Sequence, residues 1–473
     1  MPRDHRAWTP TLTARSGLTL PARIAAAVRA DVAAGTLRPG EAMPSHRGLA
    51  RRLEVSRGTV EAAYDQLLAE GYLLSRPRSG TVVNPVLRRT SPPPPTPVVR
   101  FRSTDVPEGP AAIDMVPGHD PGSPLDDPAW RSAWRRATDP GHAGFQPVDP
   151  MGDPELRRAI AEHLRLMRGL VVDPDRVAVT AGSREGLALL LTALAAPGGA
   201  PPVGVEDPGF PGLRRTLERR GIRTVPLPVD ESGVVVPPAG ASIPEVVLLT
   251  PNHQYPYGSV MPATRRADLL DRAAGLGTLV VEDDYDSEFR YLGPPPPALF
   301  GLAARASVAH LGTFSAVLSR DVGTGYLLLP EELVQPVASV RADLGCPVAP
   351  VLQRAVAGYL AEGGLRRRLQ RSRRRLVAAH GQVAEVMRDV AGAVDQGRIL
   401  VIERPAGQAS AVLAQCAERG LLLGDLADGW SGTPGSTGVV LAYGNVDPVD
   451  LARALVILRE VVAVTDEQGP PGR

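Results

Sequence analysis

Residues 92–95 are four consecutive prolines, set in the string Thr90-Ser91-Pro92-Pro93-Pro94-Pro95-Thr96-Pro97. Such a run neither continues a helix nor donates to a sheet ladder, so it reads as an extended, semi-rigid spacer that divides the chain. The charge changes across it. Residues 1–90 hold 14 Arg and 7 acidic residues, a balance of +7, and the remainder carries −6. These features place a linker at 85–112, a small domain at 14–84 and a larger one at 113–466. A basic small part joined to a mildly acidic large one predicts that the first meets a polyanion.

Beyond the linker, helical patterns alternate with short apolar runs. Residues 155–168 read as a helix ended by Gly169. Residues 176–180 read as a buried strand running into Gly182-Ser183, and 187–196 as a further helix. Strands are expected at 246–249 and 278–281, with a helix at 265–274 between them. This rhythm predicts an α/β domain with a mostly parallel sheet, in which ligands bind beyond the carboxyl ends of the strands. No internal repeat is visible. No run of eighteen apolar residues offers a membrane span, and the N-terminus lacks the apolar core of a secretory signal. Cys346 and Cys416 form no disulfide framework and have no metal-ligand spacing around them, so a cytoplasmic protein without a metal is expected.

The basic part has its own pattern. Residues 21–33 carry Ile24, Val28 and Val32 at helical spacing, and 35–40 (GTLRPG) break the helix with a turn. A short helix follows Pro44-Ser45 as far as Leu53. A tight turn then leads to a helix over 57–70, capped by Ser56, with Val60, Ala63, Tyr64 and Leu67 facing a core. Two short helices so joined form a helix-turn-helix, whose second helix enters the major groove by its N-terminal end. That end bears Ser56, Arg57 and Thr59, which suit phosphate and base-edge contacts. Residues 72–74 and 81–83 flank Arg76-Pro77-Arg78-Ser79-Gly80 as a hairpin with a basic tip. The whole string, GTLRPGEAMPSHRGLARRLEVSRGTVEAAYDQLLAEGYLLSRPRSGTVV, resembles the winged helix-turn-helix of the GntR family. The resemblance implies that Arg47, Arg57, Thr59 and wing Gly80 contact double-stranded operator DNA. Gly58 and Glu61 depart from residues common at those places, which alters the sequence read rather than the binding of DNA.

In the large part, three stretches belong together. Thr180-Ala181-Gly182-Ser183-Arg184 runs from a strand into a helix, whose N–H groups suit a phosphate. Residues 250–258 (TPNHQYPYG), with Asn252, form a polar and aromatic loop. Val281-Glu282-Asp283-Asp284-Tyr285-Asp286 sets four acids in five positions straight after an apolar run. Spacing alone leaves open whether those acids form a solvated loop or are buried and satisfied. Together with VEDPGFPGLRR and HLGTFSAVLSRDVGTGYLLLP, these stretches resemble the aminotransferase-like domain of MocR-type regulators, over about 113–465. That implies a fold-type I aminotransferase fold, a homodimer arranged head to tail, and a pocket for pyridoxal phosphate (PLP). By the same resemblance, Asp283 pairs with the pyridinium nitrogen and Tyr285 with the ring oxygen. Phe210 stacks on the ring, and Ser183 touches the phosphate.

The departures are severe. The family reads Ser-Lys-x-Leu-x-Pro-x-x-Arg-x-Gly-Tyr at the Schiff-base site, and here Ser315 is followed by Ala316, with Gly323 at the phosphate-clamping arginine. Val440 stands where relatives place an arginine for the substrate carboxylate. Arg320 lies nearby in sequence as a replacement charge. All 52 basic residues of the chain are arginine. Drift from Lys to Arg would put Arg at position 316; a methyl group there neither forms a Schiff base nor takes a proton. No catalytic residue is therefore expected. Three readings of the pocket stay open: a different small effector, PLP held non-covalently, or a dimerisation scaffold without ligand. The rival from another class is a PLP-dependent transaminase or lyase on a DNA tether. Residues 365–376 hold seven arginines interleaved with Leu365, Leu369 and Leu376, read as a solvated or internally paired helix rather than a second DNA contact.

Overall fold

Helix α1 (Leu20–Ala34) buries Ile24, Ala25 and Val28, and ends where Gly35 turns left-handed at φ 76°. In α2 (His46–Leu53) the Ser45 hydroxyl accepts from the Gly48 N–H, and in α3 (Arg57–Ala69) Ser56 accepts from the Thr59 N–H, both at 3.1 Å. Each cap satisfies an otherwise orphaned N–H and is worth about 1 kcal/mol. Val60, Ala63, Tyr64 and Leu67 of α3 pack with Ile24, Leu37, Leu49 and Leu73 in one core. The Tyr64 hydroxyl is satisfied there by the Pro44 carbonyl at 3.0 Å. Strands β1 (Leu73–Arg76) and β2 (Gly80–Val83) pair antiparallel as the wing, with Gly80 at φ 78° on its return.

The computed structural model describes residues 8–11, 18–76, 80–87, 112–119, 125–139, 149–238, 240–291, 293–391 and 397–467. The proline run, most of the expected linker and Arg78, expected in the basic hairpin tip, lie outside them. The chain divides into two units, Met1–Pro107 and Glu108–Arg473.

The second unit is built on eight strands: β3 (Val177–Thr180), β4 (Val203–Asp207), β5 (Thr224–Asp230), β6 (Gly233–Val234), β7 (Val246–Leu249), β8 (Leu279–Asp284), β9 (Val308–Thr313) and β10 (Gly325–Leu328). Their order across the sheet is β3-β10-β9-β8-β7-β4-β5-β6. Only β10 and the edge strand β6 run antiparallel to their neighbours. Successive strand residues enter opposite cores: Val281 and Leu248 on one face, Val280, Val247 and Leu249 on the other. A sheet buried on both faces explains why its strands read as near-continuous apolar runs. A second, three-stranded sheet joins β11 (Ile399–Glu403), β12 (Gly424–Asp425) and β13 (Gly438–Ala442) in the order β11-β13-β12.

The arginine-rich stretch is part of one helix, Gly364–Val386, with Leu365, Leu369 and Leu376 buried. Arg368 donates to the Val317 and Leu318 carbonyls, and Arg373 to that of Glu288. Two of its guanidiniums thus brace the chain around the site, and the rest of its charge faces outward.

Candidate functional site

The carboxyl ends of the parallel strands build one cavity of about 210 Å³. After β3, Gly182 leads into the helix α4 (Ser183–Ala193); the end of β8 presents Asp283 and Tyr285; the turn after β9 presents Ser315 and Ala316. Phe210 follows β4 and forms an apolar wall, with Tyr255 edge-on to it at 5.3 Å. A Cβ on Gly182 would stand 3.8 Å from the Thr313 hydroxyl and 3.9 Å from that of Ser315, so both hydroxyls face the start of α4. Ser183, Phe210, Asp283, Tyr285, Ser315 and Ala316 thus share one cavity.

The acidic run is not a loop. β8 extends through Glu282, Asp283 and Asp284, and all three are buried. Burial is tolerated because partners from distant segments meet two of them. Glu282 accepts from the Leu299 N–H at 3.1 Å and lies 2.9 Å from His310 Nδ1. Burial raises its pKa, but the hydrogen bond and charge of His310, the Leu299 N–H and the Arg168 charge together hold it below the ordinary value. Asp284 pairs with Arg168 and accepts from the Ser287 hydroxyl. Asp283 differs. Only 3% exposed, its Oδ1 has no hydrogen-bond partner among the described residues. Burial pushes its carboxyl up to about 7; His310 opposes the rise, and the Asp286 and Glu282 carboxylates add to it. Glu206 is likewise pushed up to about 7 by burial, against hydrogen bonds from Thr250 and with Asp283 adding to the rise.

A raised carboxyl pKa means that the folded state holds a proton the unfolded chain releases. Stability is then full below the ordinary carboxylate pKa and falls as pH rises toward 7. Asp283→Asn removes the buried charge. We expect the variant to be more stable than the wild type at pH 8, by up to about 4 kcal/mol on the conversion of pKa to free energy. The gap should close by about pH 4, and thermal melts across that range measure it. A gap independent of pH would contradict the assignment.

The Tyr285 hydroxyl donates to the His253 carbonyl at 2.9 Å and lies 3.1 Å from His253 Nδ1, which in turn sits 2.5 Å from Asp286. Burial, with the Asp286 carboxylate adding, holds this phenol well above its usual range. Asn252 is the exception among the expected pocket residues. Its side-chain oxygen accepts from Arg266 at 3.0 Å, and it lines a separate void of about 30 Å³, not the main cavity. An amide so engaged by a buried guanidinium is held as part of the packing. Sequence reasoning passed over Arg398, Thr313 and Ile399, which line the cavity. Arg184, named only as part of a Gly-Ser turn, lines it too. No group of three His, Cys, Asp or Glu is placed to hold a metal ion among the described residues, and no helix among them is long and apolar enough to cross a membrane.

In the first unit, Arg47, Ser56 and Arg57 are exposed at the starts of α2 and α3, and Thr59 is half-buried. The Ser56 hydroxyl is committed: it caps α3 and lies 2.7 Å from the Thr59 hydroxyl. Arg57 lies 3.9 Å from Glu61.

Residues 20–83 match the family of bacterial regulatory proteins described as gntR, and residues 120–423 match aminotransferase class I and II. The chain is 39% identical over 454 residues to the pyridoxine biosynthesis transcriptional regulator PdxR of Corynebacterium glutamicum, covering 94% of this chain and 96% of that protein. It is 31% identical to the probable rhizopine catabolism regulatory protein MocR of Rhizobium meliloti, covering 93% of each. Among solved structures, the α-aminoadipate aminotransferase LysN of Thermus thermophilus shares the fold, with TM-score 0.64 and 22% identity over 76% of this chain and 94% of that one. A GntR winged helix followed by an aminotransferase fold makes this chain a member of the MocR/PdxR-type branch of the GntR transcription regulators.

Proposed function

We propose that this regulator reads operator DNA with its winged helix and uses the aminotransferase-like domain to sense a small molecule, without covalent PLP chemistry. One observation carries the reading: the cavity wall that presents a lysine in the family presents the methyl group of Ala316, and no lysine exists anywhere in the chain. The DNA-facing residues are Arg47, Arg57 and Thr59, held by the Ser56 cap, with Gly80 and Arg78 on the wing. The working domains are 14–84 and 113–466, joined by 85–112. By family resemblance the regulator is a head-to-tail homodimer in the cytoplasm.

The residues present fit one part of PLP and not another. The Asp283 carboxyl, its Oδ1 unpartnered among the described residues, suits its ring nitrogen, Phe210 its face, and Ser183 with the N-terminus of α4 its phosphate. Its aldehyde has no side-chain amine to meet, and Gly323 supplies no phosphate clamp. The chemistry PLP supplies when bound, electron withdrawal by its protonated ring, needs a lysine to deliver and remove the proton. What these residues do is bind and orient. A relative named for regulating pyridoxine biosynthesis makes PLP the first ligand to test. Full-length protein mixed with PLP should show no absorbance band that borohydride fixes to the chain, whether or not equilibrium dialysis detects reversible binding. A fixed adduct overturns this reading.

A further inference from the structure

The sheet that loses one arginine supplies another. Val440, at the family's substrate-carboxylate arginine, is 1% exposed and does not line the cavity. It is paired with Val401 across β11 and β13, and two residues further along the register Ile399 pairs with Ala442, both of which line the cavity. Side chains two apart on a strand share a face, so Val440 points the same way from deeper in the sheet. Just beyond this pair, the Tyr443 N–H donates to the Arg398 carbonyl at 2.8 Å. Arg398 lines the cavity and, with Phe289, also the separate void of about 30 Å³. Its guanidinium lies 4.5 Å from the centre of the Phe289 ring, a contact that orients it.

The cavity therefore carries opposite functions on different walls. Arg398 contributes a cation from the residue just before β11, and Arg184 a second one from the start of α4. Asp283 contributes a buried carboxyl with one oxygen unpartnered among the described residues. Phe210, Ala181 and Ile399 supply apolar surface between them. We infer that Arg398 is the anion-binding residue of this cavity, and that its ligand is a small heteroaromatic acid whose basic ring nitrogen meets Asp283 while its carboxylate meets Arg398. The inference rests on the non-covalent reading of the site. The recruited cation has moved from the central strand of the small sheet to the residue that precedes its edge strand.

The test uses the full chain, calorimetric titration, and the pyridine monocarboxylates as probes: picolinate, nicotinate and isonicotinate. At least one should bind with Kd below about 1 mM, and its neutral amide (nicotinamide for nicotinate) at least about tenfold more weakly. Arg398→Gln should lose at least about tenfold in affinity for the acid and leave the weak binding of the amide unchanged, whereas Arg398→Lys should retain part of it. Arg398→Lys also serves if Arg398→Gln does not fold. Equal affinity in wild type and Arg398→Gln overturns the role of the arginine. Failure of every pyridine carboxylate to bind the wild type overturns the ligand class. A borohydride-fixed PLP adduct is a separate failure, that of the non-covalent reading itself, and it is scored independently of the arginine variants.

Discussion

Ala316→Lys should form a borohydride-stable PLP adduct at close to one per chain, where the wild type is expected to form none. The reasoning is local. Ala316 lines the cavity, half-buried, in the turn after β9, and a lysine there extends from that wall into the space bounded by Phe210 and Asp283. Arg184 and Arg398 line the same space. Like charges disfavour a further cation, so the new ammonium loses its proton more readily than a lysine in water and becomes the better nucleophile. Ala316→Arg is the control. It introduces at least equal bulk and the same charge but no nucleophilic amine, and should give no adduct. Transamination should stay undetectable in the lysine variant, because Gly323 and Val440 still lack the groups that clamp phosphate and substrate. A folded Ala316→Lys protein that leaves PLP unmodified would show that this cavity is not equivalent to a PLP site.

The second large effect is expected at the DNA-reading end. Arg57 opens α3 and is exposed, with its nearest acid, Glu61, 3.9 Å away. Exposed pairs of this kind are worth a few tenths of a kcal/mol, so the arginine contributes little to the fold. A charge-assisted contact to a base edge or phosphate is worth about 1–3 kcal/mol. Arg57→Ala should therefore weaken binding to a duplex enriched from random sequence by the wild-type chain about 10- to 100-fold, with an unchanged melting temperature. If the contact is to phosphate, the slope of log affinity against log salt should also fall by about one. Unchanged affinity would remove Arg57 from the interface.

The two units differ in how openly their sequence declares them. In the first, Ser45 and Ser56 cap helices within three residues of themselves, and Ile24, Val60 and Tyr64 are spaced by helix geometry alone. Such features are local, and the pattern of residues carries them. In the second, strand and helix order was legible for the same reason. The acid run was not. Whether Glu282 and Asp284 are solvated or buried depends on His310 from β9, Arg168 from the helix Pro154–Arg168 and the N–H of Leu299. Asn252 looked like a pocket residue because its loop is polar, and only the arrival of Arg266 shows where its amide is spent. Arg398 carried no signal at all. It joins the cavity only through the pairing of β11 with β13.

What the sequence by itself determined is the absence of any lysine amine. A chain with 52 arginines and no lysine has no side-chain amine to give PLP, and no folding changes that, because covalent capacity belongs to the residue type. The tertiary structure decided which charges remain to act. Three adjacent acids are chemically near-identical in sequence, yet two are satisfied by neighbours, and of the three Asp283 alone has a buried oxygen without a hydrogen-bond partner among the described residues. Hydrogen bonding and charge pairing fall off over a few ångströms, so they are settled by which segments meet, and that is a property of the fold.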